Sequence, residues 1–198
     1  MTKIKSSTTP IGGNTIHTLS AGTPGNRPVL LLHGKAFQAA TWKELGTLEL
    51  LAENGCFAVA LDLPGWGDSP AGDFEAGEIV QGVIDAFQLE KPTLLGPSMG
   101  GKIALEFCLE HAGLLGGLVL IGAVGVEENR ARLQELPGKT LIIWGENDHI
   151  ADPANGLLLN REIAGSQLVS IPNTKHACYM ENPKEFHRRL INFISASE

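Results

Sequence analysis

The stretch Gly96-Pro97-Ser98-Met99-Gly100-Gly101-Lys102-Ile103, read as GPSMGGKI, decides the fold because it fits two patterns at once. It contains G-x-S-x-G, the sharp strand-to-helix turn that exposes a nucleophilic serine. It also contains G-x-x-x-x-G-K, a phosphate-binding loop lacking only its last position. Both patterns need a strand before them and a helix after. Residues 92–98 (PTLLGPS) supply the strand, and residues 99–110 place Ile103, Leu105 and Phe107 at helical spacing. The phosphate-loop reading fails at Ile103, where a Ser or Thr hydroxyl must ligate Mg²⁺. Its place in the chain is also wrong, because such a loop opens a nucleotide domain and here several strands precede it.

Outward from this turn the pattern strand, turn, helix repeats. Continuous apolar runs cover 28–34, 57–65, 92–98, 117–123, 140–147 and 167–173. Unbroken apolar strands are buried on both faces, which marks a mainly parallel sheet. Helical spacing is present at 41–53, 75–89, 99–110, 155–163 and 183–194. Residues 4–8 and 15–19 alternate polar and apolar, as in an antiparallel edge hairpin. The expected architecture is one α/β domain over 1–198, with a mostly parallel sheet of about eight strands and helices on both faces. Ligands of such sheets bind beyond the carboxyl ends of the strands. His33-Gly34, Asp62, Ser98, Asp148 and His176 all fall just after apolar runs.

A serine nucleophile requires a base, and the base requires an orienting carboxylate. The chain order serine, acid, histidine accompanies this kind of turn, and Ser98, Asp148 and His176 supply it. Glu146 and Asp152 compete with Asp148 but are placed less well. Among the other histidines, His33 reads as part of its turn and His149 as pointing away from its neighbour Asp148. His17, His111 and His187 read as surface or helix positions. Asp62 reads as a loop-organising carboxylate, and Cys178 as packing. Gly96 and Gly100 give the strained serine room, and Gly101 lets the helix lie close to the sheet. The Met99 N–H, at the helix start, is one expected donor to a developing oxyanion, and the Lys35 N–H is the other. Phe37, Trp66, Val124 and Tyr179 are the expected substrate-binding side chains.

Composition narrows the rest. The 198 residues are 43% hydrophobic and 19% charged, as in a globular chain. A net charge of −7 disfavours nucleic acid or an anionic membrane as partner. No apolar run is long enough to span a bilayer, and no signal-peptide pattern is present. Three cysteines without C-x-x-C spacing suit a reduced, cytoplasmic setting. Neither H-E-x-x-H nor paired-histidine spacing occurs, so neither metal nor cofactor is expected. The expected partner is a small-molecule acyl substrate, with a monomer favoured.

The segments HGKAF, DLPGWGDS, GPSMGG, WGENDH and PNTKHACYMENP together resemble the α/β-hydrolase superfamily over nearly the whole chain. The run HGKAFQAATWKELGTLELLAENGCFAVALDLPGWGDS is most similar to the small α/β-hydrolase-domain-containing protein 14 (CIB-type) group. That resemblance implies an α/β-hydrolase fold, a Ser98–His176–Asp148 triad and action on small acyl esters. Only residues 124–139 separate the predicted strands at 117–123 and 140–147, enough for one short helix at 127–136 and not for a cap domain. An open site for short acyl groups is therefore expected. Two other readings share these residues: an acyltransferase or deacylase with a non-water acceptor, and a ligand-binding protein with little turnover.

Overall fold

In the computed structural model, which describes residues 2–111 and 113–196, six strands run parallel. They are β3 (Arg27–Leu31), β4 (Cys56–Leu61), β5 (Thr93–Pro97), β6 (Gly117–Ile121), β7 (Thr140–Gly145) and β8 (Gln167–Ile171). β1 (Lys5–Ile11) and β2 (Asn14–Ala21) form an antiparallel hairpin, and β2 also pairs antiparallel with β4. The sheet order is β1-β2-β4-β3-β5-β6-β7-β8. Only β1 is the edge strand of the hairpin. β2 is internal and buried from Ile16 to Ala21, so the expected edge character holds for one strand of the two.

Alternate side chains of the central strands feed two cores. On one face Leu30, Val59, Leu94, Leu120 and Ile142 meet α3 (Ala76–Ala86), α4 (Met99–Glu110) and α5 (Pro153–Glu162). On the other, Leu31, Ala60, Leu95, Val119 and Ile143 meet α1 (Ala39–Glu44), α2 (Thr47–Glu53) and α7 (Pro183–Ser195). Each fully buried Leu or Ile stabilises the fold by about 2 kcal/mol relative to leaving it exposed. That gain on both faces is why these runs lack the polar alternation of a half-wet sheet.

Two helical expectations differ in detail. Residues 41–53 are two helices, because Gly46 takes a left-handed conformation (φ 73°) that interrupts the helical hydrogen bonding. The expected helix at 127–136 is a short 3₁₀ helix over Arg130–Glu135. No cap domain is inserted between β6 and β7, and the carboxyl ends of the strands stay open. Among the described residues, no helix is long and apolar enough to cross a membrane.

Candidate active site

Ser98 stands between the end of β5 and the start of α4 with φ 52° and ψ −114°. A side-chain-bearing residue adopts this conformation only under strain, and functional turns hold such strain. Surrounding bonds over-determine it. The Ser98 N–H donates to the Ile121 carbonyl at 2.9 Å, and its carbonyl accepts from the Lys102 N–H at 3.0 Å. The flanking glycines are needed for close approach. A methyl group on Gly100 would lie 2.7 Å from the His33 carbonyl oxygen, and one on Gly101 2.7 Å from the Ala123 Cβ. One on Gly96 would collide with the Gly100 carbonyl.

The acid and the base come from the last two strand ends. Asp148 is buried after β7, and its Oδ1 accepts the Ile150 and Ala151 N–H groups at 2.8 and 3.0 Å. Its Oδ2 lies 2.8 Å from Nδ1 of His176. A carboxylate so supplied with donors holds the imidazole in one tautomer, with the proton on Nδ1 and Nε2 free to accept. The loops themselves are joined, because the Asn147 N–H donates to the Thr174 carbonyl at 2.8 Å. Gly145 has no room for a side chain because the Lys175 carbonyl passes directly over it. Gly122 (φ 49°) lies beneath the pair, where a methyl would stand 3.2 Å from Asp148 Oδ2 and 3.3 Å from His176 Nδ1.

The competing acids are occupied elsewhere. Glu146 accepts the Asn173 N–H at 2.9 Å, and Asp152 caps α5 by accepting the Ala154 N–H at 2.9 Å. His149 is exposed. Cys178 is fully buried, and burial together with the nearby Asp148 charge pushes its thiol up to about 12, so it remains a thiol. Asp62 is buried and organises loops: its Oδ1 accepts from the Ala39 N–H at 2.6 Å and its Oδ2 from the Asp68 N–H at 3.1 Å.

Ser98 and His176 both line a cavity of about 260 Å³, together with Gly34, Lys35, Ala36, Phe37, Pro97, Ile150, Ala177 and Tyr179. Of the expected substrate-binding side chains, Phe37 and Tyr179 face it. Trp66 and Val124 do not. Trp66 turns its indole N–H to the Lys35 carbonyl at 2.7 Å, and Val124 packs on the core beside α4. Ile150, largely exposed at the cavity mouth, was not expected. A lone isoleucine two residues after the acid carries no sequence signal of its direction. His17 also departs from its surface reading. It is buried on β2, with Nδ1 2.7 Å from Asp62 Oδ2 and Nε2 2.9 Å from Ser6 Oγ. His111 stacks on Phe107, and His187 on α7 lies 2.9 Å from Thr47 Oγ1.

Residues 27–138 match the α/β-hydrolase fold family, which is more than half of the chain. The chain belongs to the α/β-hydrolase family. Within it, the chain is similar to the ABHD14 proteins. It is 39% identical to Protein ABHD14A of Danio rerio, over 84% of this chain and 64% of that protein, so it spans a little under two thirds of that relative. It is 32% identical to the human Putative protein-lysine deacylase ABHD14B, over 84% of this chain and 82% of that protein. A crystal structure of a predicted CIB-like hydrolase from Thermoplasma acidophilum superposes with a TM-score of 0.93 at 24% identity, covering 98% of this chain and 99% of that one. The shared fold therefore extends well past the family match, through the loops that carry Asp148 and His176.

Proposed function

We propose that this hydrolase cleaves small acyl esters through a Ser98–His176–Asp148 triad and an acyl-enzyme. One observation carries the reading: a buried carboxylate orients His176 at 2.8 Å, and His176 shares one small cavity with a serine held in a strained turn. His176 Nε2 takes the Ser98 proton as Oγ attacks the acyl carbonyl. Asp148 stabilises the imidazolium, and the Lys35 and Met99 N–H groups receive the oxyanion. His176 then protonates the leaving group, and water enters by the reverse steps.

The cavity, about 260 Å³ and walled by Phe37, Pro97, Ile150 and Tyr179, suits a short apolar acyl group. The absence of a cap favours a second reading alongside the first. An open mouth admits an acyl group borne on a larger molecule, and a relative is named a protein-lysine deacylase.

The test is pre-steady-state release of p-nitrophenol from p-nitrophenyl acetate. A stoichiometric burst followed by turnover is expected, with both lost in Ser98→Ala and turnover falling from butyrate to octanoate esters. Equal slow release from wild type and variant would overturn the triad. Faster deacylation of an acetyl-lysine peptide than of the ester would move the assignment to the second reading.

A further inference from the structure

Trp66 stands in the turn after β4, and its environment fixes it in one place. Gly65 (φ 90°) and Gly67 (φ 51°) flank it in left-handed conformations. Its own N–H donates to the Leu63 carbonyl at 2.9 Å, and its carbonyl accepts from the Ser69 N–H at 3.0 Å. The indole lies against the His33 ring, with centroids 5.7 Å apart. From there its Nε1–H reaches the Lys35 carbonyl at 2.7 Å.

The loop that receives this bond is the one expected to hold the oxyanion. The peptide joining Gly34 and Lys35 is planar, so its N–H points opposite to its carbonyl. That carbonyl is already held, 2.9 Å from His33 Nδ1 and 3.0 Å from the Phe37 N–H. His33 Nε2 accepts the Leu63 N–H at 3.1 Å, which leaves the ring proton on Nδ1 to be donated. The following peptide, between Lys35 and Ala36, has its carbonyl held by Trp66. Two successive peptide planes are thus pinned, and the Lys35 N–H lies between the pins.

We infer that Trp66 is a positioning residue for the oxyanion hole: its indole N–H, through the Lys35 carbonyl, holds the Lys35–Ala36 peptide plane and so keeps the backbone turn at Lys35, beside the Lys35 N–H, from relaxing. The inference rests on the triad reading above. It assigns Trp66 an action through the backbone and no contact with the substrate. An oxyanion donor acts on the transition state more than on the bound ester, so the loss should fall on kcat and spare KM.

The experiment compares wild type, Trp66→Phe and Ser98→Ala on p-nitrophenyl acetate and its thiono analogue, in which sulfur replaces the carbonyl oxygen. Phe keeps an aromatic ring against His33 and removes the N–H. The expected result is a roughly tenfold fall in kcat with KM within about twofold. Acylation and deacylation should slow by similar factors, since each passes through an oxyanion. The preference for the oxygen ester over the thiono ester should shrink, a change that loss of stability alone does not produce. If Trp66→Phe fails to fold, Trp66→Tyr is judged by the same oxygen-to-sulfur ratio. A folded variant with wild-type kcat and ratio overturns the inference. A raised KM with kcat intact also overturns it, by placing the ring on the substrate. Hydrolysis that survives Ser98→Ala refutes the triad reading instead, separately from the role of Trp66.

Discussion

At the scale of single residues, the site depends on which atom faces which. Asp148→Asn keeps Oδ1 as acceptor for the Ile150 and Ala151 N–H groups, so the loop should stand. It turns an amide N–H toward His176 Nδ1, which forces the other tautomer and puts the ring proton on Nε2. The expected outcome is a fall of about 10⁴ in kcat with an unchanged circular dichroism spectrum. Burst kinetics beside the spectrum check it. Much of this arrangement was legible in the sequence, because the glycines around Ser98 and the strand-end positions of Asp148 and His176 answer to local chemistry. Side-chain directions were not. Trp66, Ile150 and His17 each sit where a loop or strand face offers two directions, and only packing against His33, the cavity mouth or Asp62 selects one. Gly122 escaped for a related reason, since its role depends on two side chains distant in sequence.

At the scale of elements, strands read more clearly than helix boundaries. The apolar runs ended where the strands end to within a few residues, because burial on both faces imposes their composition. The interruption at Gly46 was hidden inside a run whose leucines keep helical spacing across the break. Caps give a further test. Asp152 accepts the Ala154 N–H, with Pro153 in the first turn of α5. Asp152→Ala should lower stability by about 1 kcal/mol. For a chain of this size that is a melting midpoint lower by about 2–4 °C, with kcat unaltered. Differential scanning calorimetry and esterase assays on one sample separate this carboxylate from its neighbour Asp148. Loss of activity without loss of stability would reverse their assignments.

At the scale of the whole molecule, one buried and one half-buried imidazole link stability to pH. Burial lowers the pKa of His33 below its ordinary 6.5, and it lowers that of His187 as well. Below pH 6.5 the unfolded chain takes up protons that these folded rings resist. The stability they contribute is therefore complete above that pH and lost as pH falls toward their folded values. The urea midpoint should fall between pH 7 and pH 5, and His187→Gln should flatten part of that slope. A midpoint constant over this range in both proteins would contradict the assignment.

The sheet order carries a consequence in time. From β5 onward, the strands lie across the sheet in the order in which they are synthesised. Ser98 leaves the ribosome with β5, Asp148 only after β7, and His176 last, behind the outermost strand β8. On the triad proposed above, the emerging chain carries its serine long before the histidine that would activate it. A triad of that kind would be complete only when the final strand and its helix dock, so the proposed activity would appear only once folding is nearly finished.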